Sequence, residues 1–108
     1  EYAGIEAGQT VIDLGSGAGN DVFVVRAIVG KAGRVIGLDM VPDMVDKARA
    51  NAERLGFANV EFLHGEIEDM PLEDGIADVL VSNCVLNLVP DKGRAFTEIH
   101  RVLKPGGR

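Results

Sequence analysis

Cysteine is almost missing from this 108-residue chain, where Cys84 stands alone. No disulfide can form within it, and the chain fits a reducing cytoplasm. Clusters of lysine and arginine are missing too. The balance is acidic, with 17 Asp and Glu against 11 Lys and Arg and a net charge of −6. A nucleic-acid partner wants a basic face, so none is expected. No apolar run approaches the roughly 18 residues of a membrane span, and no signal-peptide pattern occurs, so no membrane partner is expected. Internal repeats, low-complexity segments and a second domain are also lacking. What remains is an ordinary globular balance, 46% hydrophobic and 26% charged, in one domain able to bury a real core.

The chain is organised around Thr10-Val11-Ile12-Asp13-Leu14-Gly15-Ser16-Gly17-Ala18-Gly19-Asn20-Asp21. Val11, Ile12 and Leu14 make a short apolar run, rich in β-branched residues, as in a parallel strand covered on both faces. Gly15, Gly17 and Gly19 let the backbone turn sharply and let a ligand approach. Asn20 is expected as the N-cap of the following helix, with Asp21 at its positive end. A tight turn without a ligand needs fewer glycines than this.

Strand and helix signals then alternate. The strands are expected at 10–14, 34–38, 60–63 and 77–81. The first helix is expected at 21–29, with Phe23, Ala27 and Ile28 on one side and Gly30 as C-terminal cap. Pro42 opens a second helix that runs to Gly56, with Met44, Val45, Ala48, Ala52 and Leu55 at helical spacing. A third, near 91–103, should turn Ala95, Phe96, Ile99, Val102 and Leu103 inward, with His100, Arg101 and Lys104 at its negative end and Pro105-Gly106-Gly107 stopping it. The pattern predicts an α/β fold, a Rossmann-like doubly wound parallel sheet with about four strands present and therefore incomplete. Ligands bind such sheets outside the carboxyl ends of the strands. The glycine turn, Asp39, Glu66 and Asn83-Cys84 all fall there. Glu1 is not a natural start, and Lys104-Pro105-Gly106-Gly107-Arg108 should lead into another strand, so the chain is expected to be a piece of a longer protein.

Two ligand classes suit a glycine turn followed by an acid at the end of the second strand. A dinucleotide wants Gly-x-Gly-x-x-Gly and rests its pyrophosphate on the helix N-terminus. Here the turn is Gly15-x-Gly17-x-Gly19, and Asp13 and Asp21 flank it, which disfavours phosphate. S-adenosylmethionine carries a sulfonium and an ammonium, and carboxylates attract both. Asp39, twenty residues beyond Gly19, can accept both ribose hydroxyls. Its bland alternative is a solvated strand-end acid. For Glu66 the alternative is membership of a generally acidic stretch with Glu68, Asp69, Glu73 and Asp74.

These residues resemble class I S-adenosylmethionine-dependent methyltransferases. Val11 through Gly19 looks like the first motif of that superfamily. Gly37-Leu38-Asp39-Met40, Gly65-Glu66-Ile67-Glu68-Asp69-Met70-Pro71 and Arg101-Val102-Leu103-Lys104-Pro105-Gly106-Gly107 match later ones in order. Gly17-Ala18-Gly19-Asn20-Asp21 and Ser82-Asn83-Cys84-Val85-Leu86-Asn87-Leu88 narrow the resemblance to the arsenite methyltransferase family. The resemblance implies that residues 1–108 are the cofactor-binding, N-terminal part of a catalytic domain. It implies that Gly15, Gly17 and Gly19 line the methionine part of S-adenosylmethionine and that Asp13 helps orient it. Asp39 would hold the ribose, Met40 and Ile67 would sandwich the adenine, and Glu66 would reach its amino group. Asn83 would meet the cofactor's ammonium, and Cys84 would be the arsenic-binding thiol, the metalloid's ligand. The family's further cysteines do not occur in this chain, and Val41 stands where a hydroxyl N-cap is common.

The implied activity is methyl transfer to a small-molecule acceptor, arsenite foremost. A quinone or sterol C-methylating enzyme, or a cofactor-binding piece inactive by itself, stays open beside it. In the quinone or sterol reading Cys84 merely packs, as a small buried hydrophobe. Trivalent arsenic has a free lone pair, so no general base is needed, and His64 and His100 are given no catalytic role. The fourth strand should lie beside the first with its other edge bare, which predicts self-association through that edge.

Overall fold

The computed structural model describes residues 4–17, 19–82 and 90–107. Four parallel strands alternate with helices: β1 (Thr10–Leu14), α1 (Asn20–Val29), β2 (Arg34–Asp39), α2 (Pro42–Leu55), β3 (Val60–His64), β4 (Val79–Ser82) and α3 (Lys92–Val102). The sheet order is β3-β2-β1-β4, so β4 lies beside β1 as expected. All three pairings are parallel, with Leu14 in register with Leu38 on one side and with Ser82 on the other. The order reverses between β1 and β4. Such a switch point opens a crevice at the carboxyl ends of the strands.

The two faces of the sheet carry two cores. Val11, Val35, Val60 and Phe62 point one way, under Val22, Val25 and Val29 of α1 and Val45, Ala48 and Ala52 of α2. Ile12, Leu14, Ile36 and Leu38 point the other way, against Ala95 and Val102 of α3 and the loop residues Ile67, Met70 and Ala77. Alternate residues of β1 and β2 therefore serve opposite layers, which is why both strands read as apolar runs.

Several boundaries differ from the sequence expectation. The N-cap of α1 is Gly19, at φ +96°, and Asn20 is already helical. The glycine takes the left-handed turn that leads into the helix, a conformation asparagine adopts less readily. The buried stripe of α1 is Val22, Val25 and Val29, whereas Ala27 and Ile28 lie on the exposed side. That helix is apolar nearly all round, so its periodicity could not choose a face; the sheet chose it. In α3, Ala95 and Val102 are buried but Phe96 is 56% exposed. Asp91, not a helical residue, caps α3 by accepting the Arg94 N–H at 3.0 Å. Strand β4 begins two residues later than expected. Ala77 makes only an isolated bridge to Leu103, with its N–H donating to the Val102 carbonyl at 2.9 Å. α2 begins as expected, with Pro42 in its first turn behind Val41, which provides no side-chain cap.

Candidate functional site

The glycine turn is docked onto the end of β2. The Gly15 and Ser16 N–H groups both donate to the Leu38 carbonyl, at 2.7 and 3.1 Å. The next free donor, the Gly17 N–H, reaches the Asp39 carboxylate at 2.8 Å. The other oxygen of the same carboxylate accepts the Val41 N–H at 2.9 Å. Asp39 therefore ties the turn after β1 to the start of α2, where Val41 brings no hydroxyl of its own. Acceptor sites remain on both oxygens, since a carboxylate offers about four lone-pair positions.

The end of β3 is drawn into the same assembly. The Gly65 N–H donates to the Asp39 carbonyl at 3.1 Å. His64 Nε2 lies 3.1 Å from the Met40 carbonyl, so this ring braces backbone beside the site. Glu66 follows at once and is exposed. The structure thus brings Gly17, Asp39 and the Glu66 segment together at the carboxyl ends of three adjacent strands, β1, β2 and β3.

The other expected site residues are placed as follows. Asp13, on β1, is 2% exposed and shares its sheet face with Val11. Met40 is 48% exposed, while Ile67 is 4% exposed and packs into the core beside Leu38 and Met70. Asn83 and Cys84 lie outside the described residues. β4 ends at Ser82, in register with Leu14, which carries the chain to the switch point just before them.

The glycines of the turn do different work. At Gly17, φ is +57° and a Cβ would meet nothing within 4 Å, so this side of the turn is open. Gly19 is buried, and a Cβ there would stand 2.8 Å from the Phe62 ring. Phe62 in turn packs edge-on to Phe23 with ring centroids 5.9 Å apart. It also covers Gly37, where a Cβ would lie 2.7 Å from the same ring. Gly19 and Gly37 thus let an aromatic wedge from β3 lock the turn in place. The sequence pattern showed the glycines but not this division between them.

A second group escaped the sequence reading. Arg101, in the last turn of α3, has its guanidinium among acceptors of the loop between β3 and β4. It donates to the Leu72 carbonyl at 2.8 Å and the Met70 carbonyl at 3.1 Å. It also pairs with Glu98 and Asp74, each at 2.6 Å. These carboxylates hold Arg101 well above its usual proton affinity, Glu98 most. Glu98 is reciprocally held below the ordinary carboxyl value, first by Arg101 and then by the Met70 N–H, against the opposing effect of burial. Only the Arg-Val-Leu-Lys-Pro-Gly-Gly motif hinted at this arginine, and as a helix-end charge.

A groove of about 490 Å³ runs along the outer side of β3, lined by Arg49, Glu53, Phe57, Phe62 and Leu63 among others. Arg49 Nε donates to the Phe62 carbonyl at 3.0 Å along this strand edge. The groove brings none of the expected site residues together. Among the described residues, no helix is long and apolar enough to cross a membrane.

S-adenosylmethionine fits the donor set. The open face at Gly17 admits a close ligand, the Asp39 carboxylate keeps free lone pairs beside it, and no lysine or arginine stands in the turn to hold a phosphate. Known proteins agree. Residues 5–108 match the family described as a methyltransferase domain. An arsenite methyltransferase of Halobacterium salinarum is 50% identical over 99% of this chain and 27% of its own length. A demethylmenaquinone methyltransferase of Lactococcus lactis is 40% identical over 94% of this chain and 40% of its own. Among solved structures, an arsenic(III) S-adenosylmethionine methyltransferase of Chlamydomonas reinhardtii superposes with a TM-score of 0.86 at 44% identity, covering 97% of this chain and 38% of that one. The chain spans about a quarter to two fifths of the length of these proteins. A docked glycine turn, a strand-end acid beside it and a family match over nearly all residues place this chain in the methyltransferase domain family, with the Rossmann-like fold of its S-adenosylmethionine-dependent members.

Proposed function

We propose that this chain is the cofactor-binding part of an S-adenosylmethionine-dependent methyltransferase whose acceptor is trivalent arsenic as arsenite. The observation that carries the cofactor half is the Asp39 carboxylate, aimed at the Gly17 N–H at 2.8 Å beside the open face of the turn. The arsenite half is supported by the 50% identity to an arsenite methyltransferase and by Cys84, which follows Asn83 just after β4 in the sequence. The readings of residues 1–108 as the N-terminal part of a catalytic domain, and of a cytoplasmic setting for a chain with one thiol, belong to the same proposal.

Bound S-adenosylmethionine supplies an activated methyl group on sulfur. The chain's own residues hold and orient. Asp39 accepts the ribose hydroxyls while keeping the glycine turn closed on β2. Gly17 presents its open backbone to the methionine part between Gly15 and Gly19, Asp13 helps orient it, and Asn83 meets its ammonium. Glu66 reads the adenine's amino group, with the exposed Met40 on one side of the ring and the rim of the core at Ile67, itself only 4% exposed, on the other. Cys84 holds the acceptor: thiolates suit soft thiophilic centres. Trivalent arsenic brings its own lone pair, so no side chain needs to take a proton from it. Positioning of this kind is worth roughly 7–11 kcal/mol of barrier. With one thiol, the 108-residue chain should hold arsenic weakly and turn over nothing by itself.

The test has two arms. Calorimetry on this chain should show S-adenosylmethionine binding more tightly than NADH; the reverse order refutes the cofactor assignment. In a chain extended to the length of the relatives, Cys84→Ser should abolish arsenite methylation while leaving S-adenosylmethionine affinity nearly intact. A variant that still methylates arsenite at a comparable rate makes Cys84 a packing residue and removes the acceptor assignment. The 40% identity to a demethylmenaquinone methyltransferase favours a quinone as the second reading, and methylation of demethylmenaquinone in place of arsenite would establish it.

β4 forms one edge of the described sheet, with Leu80 and Val81 partly exposed. Two such edges can pair about a two-fold axis. Light scattering at high concentration should show a dimer; a monomer with that edge open removes this part of the proposal.

A further inference from the structure

We infer that Arg101 and Glu98 are positioning residues for cofactor recognition: from α3 they clamp the loop that carries Glu66, and so fix where the adenine's amino group is read. The inference rests on the cofactor assignment above and extends it to residues that touch no part of the crevice.

Residues 66–75 form no helix or ladder strand. Their own backbone satisfies little. The Asp69 N–H donates to the Glu66 carbonyl at 3.2 Å and the Leu72 N–H to the Met70 carbonyl at 2.8 Å. Outside the core contacts of Ile67 and Met70, the remaining hydrogen bonds come from α3. Arg101 takes two loop carbonyls, those of Met70 and Leu72, while Glu98 Oε1 accepts the Met70 N–H at 2.8 Å. Both of Met70's backbone polar groups are thus engaged by one ion pair. That pair is itself doubly bonded: Arg101 Nε donates to Glu98 Oε2 at 2.6 Å and a terminal nitrogen donates to Oε1 at 3.0 Å. Arg94, two helical turns before Arg101 on the same face of α3, donates to the Glu68 carbonyl at 3.0 Å. The loop's exit is fixed as well, by the Gly75 N–H donating to the Arg101 carbonyl at 2.9 Å.

The clamp works in a sheltered place. The Glu98 side chain is 14% exposed and that of Arg101 is 29% exposed. Beneath it, Ile67 and Met70 anchor the loop in the core. Glu66 sits between this anchored stretch and the Gly65 N–H that binds the Asp39 carbonyl. An exposed side chain between two fixed points keeps a defined location while its backbone stays put. Released at Met70 and Leu72, the loop is free to move by more than a hydrogen bond tolerates, since such bonds weaken steeply outside a narrow range of distance and angle. Only a guanidinium has the donors to span this set at once; a lysine offers a point charge.

The experiment compares S-adenosylhomocysteine with its inosine counterpart, in which a carbonyl replaces the adenine's amino group. Binding to the 108-residue chain is measured by calorimetry, below the melting temperature of each variant. The wild type should prefer the adenosine form. In Arg101→Lys the affinity for that form should fall about tenfold, while the inosine form changes little, so that the preference shrinks toward unity. Arg94→Ala, on the exposed face and outside the core, should show the same trend at two- to threefold. Loss of stability alone would lower both affinities together and leave their ratio alone. If the wild type binds neither compound, the cofactor assignment fails. If it binds both equally, Glu66 reads nothing and the inference is overturned. If it discriminates and both variants keep the full preference, or lose both affinities in parallel, the clamp is structural only and the inference is again overturned. Should Arg101→Lys not fold, the ratio measured in Arg94→Ala decides.

Discussion

Asp39→Ala separates two roles that the geometry gives to one carboxylate. The substitution deletes the acceptor for the Gly17 N–H at 2.8 Å and for the Val41 N–H at 2.9 Å. A hydrogen bond to a charged group contributes roughly 1.5–3 kcal/mol. Val41 is exposed and water can replace its acceptor, so its loss should sit well below that range. Gly17 is half-buried and links two elements distant in sequence, so its loss should lie near the lower bound. Together about 2 kcal/mol of stability should go. For a domain of this size each kcal/mol shifts Tm by about 4–8 °C, which predicts a fall of roughly 8–16 °C without any ligand. Loss of two charge-assisted bonds to ribose hydroxyls should also weaken S-adenosylmethionine by at least tenfold, since about 1.4 kcal/mol is one decade. Asp39→Asn is the comparison. It keeps one carbonyl oxygen for a backbone donor, so its Tm should fall less, while the cofactor still loses its charged acceptor. The assays are thermal unfolding followed by circular dichroism and binding by calorimetry at a temperature where each variant is folded. A lowered Tm with unchanged affinity would make Asp39 a structural strap and nothing more. An unchanged Tm would refute the coupling of turn, strand and helix argued from its two hydrogen bonds.

The turn glycines should respond differently to a methyl group. Gly17→Ala meets no atom, so it should cost only the left-handed backbone, about 1–2 kcal/mol in thermal unfolding, yet weaken S-adenosylmethionine strongly by filling the open face. Gly37→Ala would drive a methyl to 2.7 Å from Phe62, within β2, and should cost 1–3 kcal/mol of overpacking, about what tight cores show; a wild-type melting curve would refute the wedge. Stability should also fall in acid. Glu98 is held below its ordinary 4.5, chiefly by Arg101, and Asp78 below its ordinary 3.8, chiefly by the Thr10 N–H, with burial opposing both. Their folded values lie below the unfolded ones, so this stabilisation is fully present above the unfolded values and is lost as pH falls through the folded values. Melting temperatures from pH 6 down to about 3 should drop below roughly pH 4.5, and Glu98→Gln should flatten that slope; an equal slope in the variant would refute the Glu98 contribution.

Strand and helix were legible in the sequence wherever the code is local. A β-branched apolar run predicts a buried strand. Pro42 at a helix start and Gly30 and Gly56 at helix ends act through their own backbone angles, and the structure has all three in those places. The convergence of the glycine turn and Asp39 was legible too, because parallel strands with right-handed crossovers put every strand's carboxyl end on one side. The tertiary structure alone decided the rest. Which face of α1 is buried depended on where the sheet lies, since Val24 and Ile28 are as apolar as Val22, Val25 and Val29. That Gly19 and Gly37 yield to Phe62 depended on β3 lying beside β2, a pairing across more than forty residues of sequence for Gly19. The reach of Arg101 to Met70 and Leu72 spans about thirty residues, at a separation where no local propensity operates. Backbone geometry within a few residues is written in residue type. Contacts between side chains far apart in sequence exist only once the sheet has brought them within reach.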